Sequence, residues 1–524
     1  MSAVTTDQFI ATIAEGYEFK GDSFVLGGAM LEGKAITDSL IKIPLMTLNR
    51  HGLIAGATGT GKTKTLQIIA EQLSAKGVPS LVMDIKGDLS GIAQPSLGHP
   101  KIDERHLQIG IPFEAGSSPV ELLSLSNEPG VRLRATVSEF GPVLFSKMLD
   151  LNDTQAGITA VAFKYADDQQ LPLLDLKDFR KILQWLTNEG KKEVEAEYGR
   201  ISTVSIGAIV RKLVELEQQG ADTFFGEPSF DVEDLLRIDE LGRGIVSILR
   251  LTDIQDRPKL FSTFMLQLLA EVYATFPEEG DLEQPKLVLF IDEAHLVFKE
   301  ATDALLDQLE SIIKLIRSKG VGIFFVTQNP ADIPEDILGQ LGLKVQHALR
   351  AFTAKDRKAI KLAAQNYPLT DFYDVEQIIT ELGTGEALVT ALDHKGRPSP
   401  LAHTLLRAPQ SRMDVLTKAE IKDIVDHSTL IKGYNKQVDR DSAYEILSEK
   451  MKLAAEEAHQ EKLAKEREKA KQSSRGRSRR EKSLFEKIVN NTTTRQIGRT
   501  VAREFTRGLL GALGINTTSR RRRR

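Results

Sequence analysis

The chain has 524 residues, 41% of them apolar and 27% charged. That balance fits a folded globular protein and excludes wholesale disorder or a fibrous repeat. With no cysteine, structural disulfides, thiolate metal sites and cysteine nucleophiles are excluded as well. The net charge of −4 hides a split: residues 473–524 carry 15 Lys and Arg against three Glu, a balance of +12, and the rest of the chain balances at −16.

Residues 1–45 read as a short lead-in with strand-like pieces such as 23–26. The opening residues lack the basic and apolar regions of a secretory signal. No run reaches the ~20 apolar residues of a membrane span. A cytoplasmic location without a membrane span is therefore expected. From His51 onward, short apolar runs alternate with helical stretches. Strands are expected at 52–56, 79–84, 245–250, 286–292, 321–327 and 344–349, and helices at 61–76, 258–276, 302–319 and 354–364. This rhythm predicts an α/β core over 46–410, a mostly parallel sheet with helices on both faces. The span from about 100 to 240 breaks it and reads as a mainly helical insertion. Residues 385–392 and 401–406 read as two strands joined by a turn. The region 411–472 reads as helical. Residues 473–524 form a basic tail, partly flexible, with a weak amphipathic pattern over 483–513.

The run Gly56-Ala57-Thr58-Gly59-Thr60-Gly61-Lys62-Thr63 fits G-x-x-x-x-G-K-[ST], with a strand before it and a helix after it. Glycines let such a loop curl so that backbone N–H groups point at phosphate oxygens, and the helix N-terminus adds positive potential. Lys62 is placed to reach the β- and γ-phosphates of ATP, and the Thr63 hydroxyl to ligate Mg²⁺. A plain glycine turn capping a helix is the bland alternative.

The run 286–293 is a buried strand ending in two carboxylates. Asp292 is expected in the Mg²⁺ shell and Glu293 as the group that polarises the attacking water. An acidic helix cap is the alternative. Gln328 ends the next apolar strand, where a polar side chain can bridge the γ-phosphate and the water. Asp84, at another strand end, fits either a supporting role or a simple turn, and His295 reads as packing or support. Arginines matter because one reaching the transition-state charge, in cis or from a neighbour, gains about 10³–10⁵ in rate. Arg317, at a helix end before the Gln328 strand, and Arg50, before the phosphate-loop strand, are the catalytic candidates. Arg350 is placed with the nucleotide-binding set. For each, a surface ion pair or helix-end charge is the alternative.

Five segments together resemble the HerA-like branch of the FtsK–HerA superfamily: 49–63 (NRHGLIAGATGTGKT), 80–94 (SLVMDIKGDLSGIAQ), 286–298 (KLVLFIDEAHLVF), 316–330 (IRSKGVGIFFVTQNP) and 345–364 (VQHALRAFTAKDRKAIKLAA). More narrowly they resemble the bacterial HerA-like C-terminal-domain proteins, over about 45–410. The resemblance implies a RecA-like P-loop ATPase that assembles as a hexameric ring and moves DNA or protein through its pore. It implies that Lys62 and Thr63 form the phosphate-loop pair, Asp292 is the magnesium carboxylate, Glu293 the catalytic glutamate and Gln328 the sensor. Arg317 matches an arginine finger offered across a subunit interface, and Arg50 a second interface arginine. HerA translocases carry a sizeable N-terminal β-barrel that docks a nuclease, whereas about 45 residues precede the core here. The expected function is a ring motor on DNA. The alternatives are an ATPase that moves or remodels proteins, and an assembly that ATP controls without a motor.

Overall fold

The computed structural model describes residues 6–253, 257–280, 282–298, 303–436, 438 and 440–473. Apart from Ser473, the basic tail and its amphipathic pattern lie outside them. The chain divides into two compact units. The first comprises 1–134, 219–224 and 228–437; the second comprises 135–218, 225–227 and the chain from 438.

Among its described residues the first unit holds twelve strands: β1 Ser23–Leu31, β2 Lys34–Pro44, β3 Gly52–Ala55, β4 Ser80–Asp84, β5 Val120–Ser124, β6 Val131–Arg132, β7 Val246–Arg250, β8 Leu287–Ile291, β9 Val321–Thr327, β10 Leu343–Gln346, β11 Glu386–Thr390 and β12 Ala402–Leu406. They form one sheet in the order β2-β1-β12-β11-β10-β3-β9-β8-β4-β7-β5-β6. From β10 through β6 every pairing is parallel, and from β10 back to β2 every pairing is antiparallel. Every residue of β3, β4, β8 and β9 is buried, so both faces of the central sheet are covered, as parallel sheets require.

The core strands form where the apolar runs predict them, within a residue or two, with one exception. The strand expected at 344–349 ends at Gln346. There the backbone leaves the sheet: the Ala348 carbonyl accepts from Ala57 N (2.7 Å) and Leu349 N donates to the Ile379 carbonyl (3.1 Å). Two other regions differ from expectation. The lead-in is the sheet's antiparallel border, with β1 paired to β2 and β12. The helix Thr6–Gly16 buries Phe9 and Ile13 in the same core. Within 100–240, the segment to Arg134 belongs to the sheet unit and supplies β5 and β6.

The second unit is helical among its described residues. Helices Val137–Met148, Asp153–Asp168 and Leu176–Thr187 begin at capping boxes, which satisfy orphan N–H groups of the first turn. Phe145, Phe163 and Phe179 pack edge-on or tilted in its core. The helix Ala443–Ser473 is anchored at its start by Asp178, which accepts from Tyr444 N (2.8 Å) and from the Ser442 hydroxyl. Among the described residues no helix is long and apolar enough to cross a membrane.

Candidate phosphate-binding and catalytic site

β9 lies between β3 and β8. In a parallel sheet all the carboxyl ends share one edge, so this order collects three sequence-distant segments there: the phosphate loop after β3, Gln328 after β9, and Asp292-Glu293 after β8.

The loop 56–61 is tied down from both sides. Gly56 N donates to the Thr327 carbonyl (3.2 Å), and Gly385 N donates to the Thr60 carbonyl (3.1 Å). Gly56 has φ +154°, and a Cβ there would sit 2.5 Å from the His347 Cβ. Gly61 has φ +114°. Neither position accepts a larger residue without strain. The helix Lys62–Ala75 follows directly, so its free N–H groups face the loop. Lys62 is buried, and its ammonium donates to the Ala57 carbonyl (3.1 Å). Burial lowers its pKa, as does Lys86, whereas Glu293 and Asp292 oppose the shift. Thr63 lies in the first turn of that helix.

Asp292 is buried, and its Oδ2 has no hydrogen-bond partner. Burial pushes its carboxyl up to about 7, with Lys86 pulling down and Glu293 pushing up. A buried carboxylate oxygen of this kind calls for a cation. Mg²⁺ takes one or two carboxylates and fills its shell with hydroxyl, phosphate and water oxygens. Thr63 and Asp292 fit that donor set. Among the described residues, no group of three or more His, Asp or Glu is placed to hold a metal ion.

Glu293 is buried with φ +47°, a left-handed backbone that costs a non-glycine residue roughly 1–3 kcal/mol. The next residue secures the turn, since Ala294 N donates to the Val326 carbonyl on β9 (2.9 Å). The Glu293 carboxylate forms an ion pair with the Lys86 ammonium, and His295 Nδ1 lies 3.2 Å from its other oxygen. Lys86 was not legible as a site residue. It follows β4, the neighbour of β8, and only the strand order brings it to Glu293. Burial works against its charge, but the hydrogen bond to Glu293 and the neighbouring carboxylates raise its pKa overall. Asp84 shapes the turn that presents it, accepting from Gly87 N (2.7 Å), Asp88 N (3.1 Å) and Leu89 N (3.2 Å). Gln328 is exposed and lines an open cleft of about 470 Å³ with His295, Phe298 and Asp332. Asp332 fastens the strand end by accepting from the Thr327 hydroxyl (2.7 Å) and Asn329 N (3.2 Å).

A second missed residue is His347. It is fully buried, and its Nε2 is hydrogen-bonded to the Thr65 hydroxyl (2.9 Å). Burial drives its pKa down to about 3, helped by Lys62, so it stays neutral beneath the loop.

Of the three arginines, Arg317 and Arg50 lie away from this edge, and Arg350 follows the carboxyl end of β10. Arg317 is exposed and opens the short turn Arg317–Lys319 between the helix Asp303–Ile316 and β9. The seven residues of β9 put it about 23 Å from Gln328 along the strand. Arg50 lies before β3, at the same amino edge, with its guanidinium against Gly396. Arg350 braces the helix Val375–Glu381, donating to the carbonyls of Thr380 (2.6 Å) and Leu382 (3.4 Å). These two bonds are the contacts the fold gives it.

The profile of the helicase HerA-like C-terminal family matches residues 30–521. The chain is 23% identical over 369 residues to the DNA double-strand break repair helicase HerA of Sulfolobus acidocaldarius, covering 68% of this chain and 66% of that protein. It is 23% identical over 369 residues to the protein of the same name from Sulfurisphaera tokodaii, covering 69% and 66%. It thus spans just under two thirds of the length of both relatives. Among solved structures, the plasmid coupling protein TrwB with a non-hydrolysable ATP analogue aligns at 16% identity and TM-score 0.49, over 76% of this chain and 100% of that one. A match over nearly the whole sequence, together with a phosphate loop and a carboxylate pair at one sheet edge, places the chain: it belongs to the helicase HerA-like C-terminal family.

Proposed function

We propose that this protein is an ATP-hydrolysing ring motor that moves along DNA, with each active site completed by a neighbouring copy of the chain. One observation carries the reading: phosphate loop, carboxylate pair and polar strand end converge on one sheet edge, while Arg317 and Arg50 lie on the opposite edge.

Lys62 and the loop N–H groups hold the phosphates. Thr63 and Asp292 would hold Mg²⁺, which would supply positive charge to the triphosphate. Glu293 orients water for in-line attack on the γ-phosphate and accepts its proton, and Lys86 and His295 fix the glutamate's position. Gln328 reads the γ-phosphate from the cleft. The arginine that stabilises the transition state comes from outside, because a strand's length separates Arg317 from its own loop. A closed ring supplies it by repeating one interface.

The test is ATP hydrolysis with and without duplex and single-stranded DNA, alongside particle-mass measurement. Stimulation by DNA and a ring-sized particle are expected. Turnover stimulated only by protein, or indifferent to both in a monomer, would overturn the DNA-motor reading.

A further inference from the structure

The helix Ala354–Gln365 begins four residues after Arg350. It exposes Lys355, Arg357, Lys358 and Lys361. At 100° per residue these four, with Leu362 and Gln365, occupy an arc of about 160°. The opposite side carries Ile360 and Ala363, which pack with Leu349, Ile379 and Leu388. Among the described residues, Arg357, Lys358 and Lys361 are in no ion pair. Asp356, the helix's acidic residue, is consumed by the cap. It accepts from Phe352 N (2.9 Å) and Thr353 N (2.7 Å), and its own N–H donates to the Thr353 hydroxyl (3.2 Å). Glu376 and Glu381 lie on the helix Val375–Glu381, which packs against the buried side. Phe352, 88% exposed, stands at the entrance to the basic face. Four cations on one face oppose a body that is acidic overall outside the tail.

We propose that this face grips the phosphate backbone of the translocated nucleic acid, with Phe352 offered to a base. The proposal rests on the DNA-motor reading and deepens it by naming the surface. Charge complementarity favours a polyanion with regularly repeated charges, and an exposed aromatic beside the cations suits unstacked bases. The helix is also connected to the chemistry. The start of its lead-in lies against the phosphate loop and the helix that follows it: His347 bonds to Thr65, and the Ala348 carbonyl accepts from Ala57 N. Seven residues of backbone, 347–353, thus join the strand end beneath the loop to the start of the basic helix.

The experiment is fluorescence anisotropy of labelled duplex and single-stranded DNA against the full-length protein over a salt series. The quadruple variant K355A/R357A/K358A/K361A is compared with K20A/K101A/K191A/K192A, which removes the same charge from exposed lysines elsewhere. The first is expected to bind at least ~10-fold more weakly at low salt, with the slope of log affinity on log salt shallower by about 3 to 4. The control keeps a slope within about 1 of the wild type. Replacing Lys355, Lys358 and Lys361 by Arg keeps binding, and Phe352→Ala weakens single-stranded more than duplex DNA. Equal losses in both quadruple variants, or an unchanged slope in the first, would overturn the proposal and leave the DNA reading standing. A wild-type chain that binds no DNA would overturn both. Loss of polyglutamate binding with DNA binding intact would assign the face to an acidic protein instead.

Discussion

The two edges of the central sheet carry different chemistry. The carboxyl edge holds buried, mutually restrained groups: Lys62 on the Ala57 carbonyl, Asp292 enclosed, Glu293 paired with Lys86. The amino edge holds the exposed Arg317, with Arg50 in the same border, and between them a buried strut, His51. The His51 Nε2 reaches the Ile313 carbonyl (2.9 Å) and its Nδ1 accepts from Ile323 N (3.0 Å), joining the Asp303–Ile316 helix to β9. On the proposed reading, one edge binds and cleaves the nucleotide and the other is presented to a neighbouring chain. A parallel sheet cannot bring both to the same nucleotide within one chain.

The largest expected effects break the carboxyl edge. Lys62→Ala abolishes tight ATP binding in equilibrium titration, because it removes the cation that meets ground-state phosphates. Glu293→Gln keeps binding and lowers turnover by about 10²–10⁴-fold, the usual contribution of a general base. Wild-type turnover in Glu293→Gln would show that the strand end has been assigned wrongly.

Lys86 sharpens the comparison as a positioning residue. Lys86→Ala is expected to slow kcat by roughly 10- to 100-fold with a smaller change in KM, and Lys86→Arg to recover part of the loss. Turnover equal to or faster than the wild type would mean that the pair restrains Glu293 rather than aims it.

The smallest effect concerns the strut. His51 is buried and its pKa is pushed down to about 4, first by burial. Its unfolded form takes a proton near pH 6.5, so the folded state loses stability as pH falls from about 6.5 towards 4. The full loss is about 3 kcal/mol. Replacing His51 with Gln is expected to flatten that part of the stability–pH curve in urea titrations. A curve that falls as steeply in the variant would place the acid-sensitive group elsewhere.

Much of this was legible before the structure. The phosphate loop, β3, β8 and β9 announce themselves because buried parallel strands are continuous apolar runs. The strand β5 did not, since it carries Glu121, whose charge is met in the fold by Arg237 (2.8 Å). The β1–β2 border was legible only in part: 23–26 read as strand-like, but Gly27 and Gly28 interrupt the apolar run of β1. Lys86 and His347 were illegible for a different reason. Their roles come from strand order and from a loop underlying another loop, neither of which leaves a local pattern. The bonds of Arg350 to the Thr380 and Leu382 carbonyls were illegible too, because a position after a core strand does not say which way the side chain turns.

The central claim is that the two edges meet only between chains. Its most direct test mixes two inactive variants, Arg317→Ala and Lys62→Ala, after each is shown to assemble and exchange subunits. Alone, Arg317→Ala is expected to bind ATP nearly normally and hydrolyse it ~10³-fold more slowly. In the mixture, intact Arg317 from one variant faces the intact phosphate loop of the other, so partial recovery of hydrolysis is expected, peaking at intermediate ratios. No recovery at any ratio in exchanging mixtures would contradict the account.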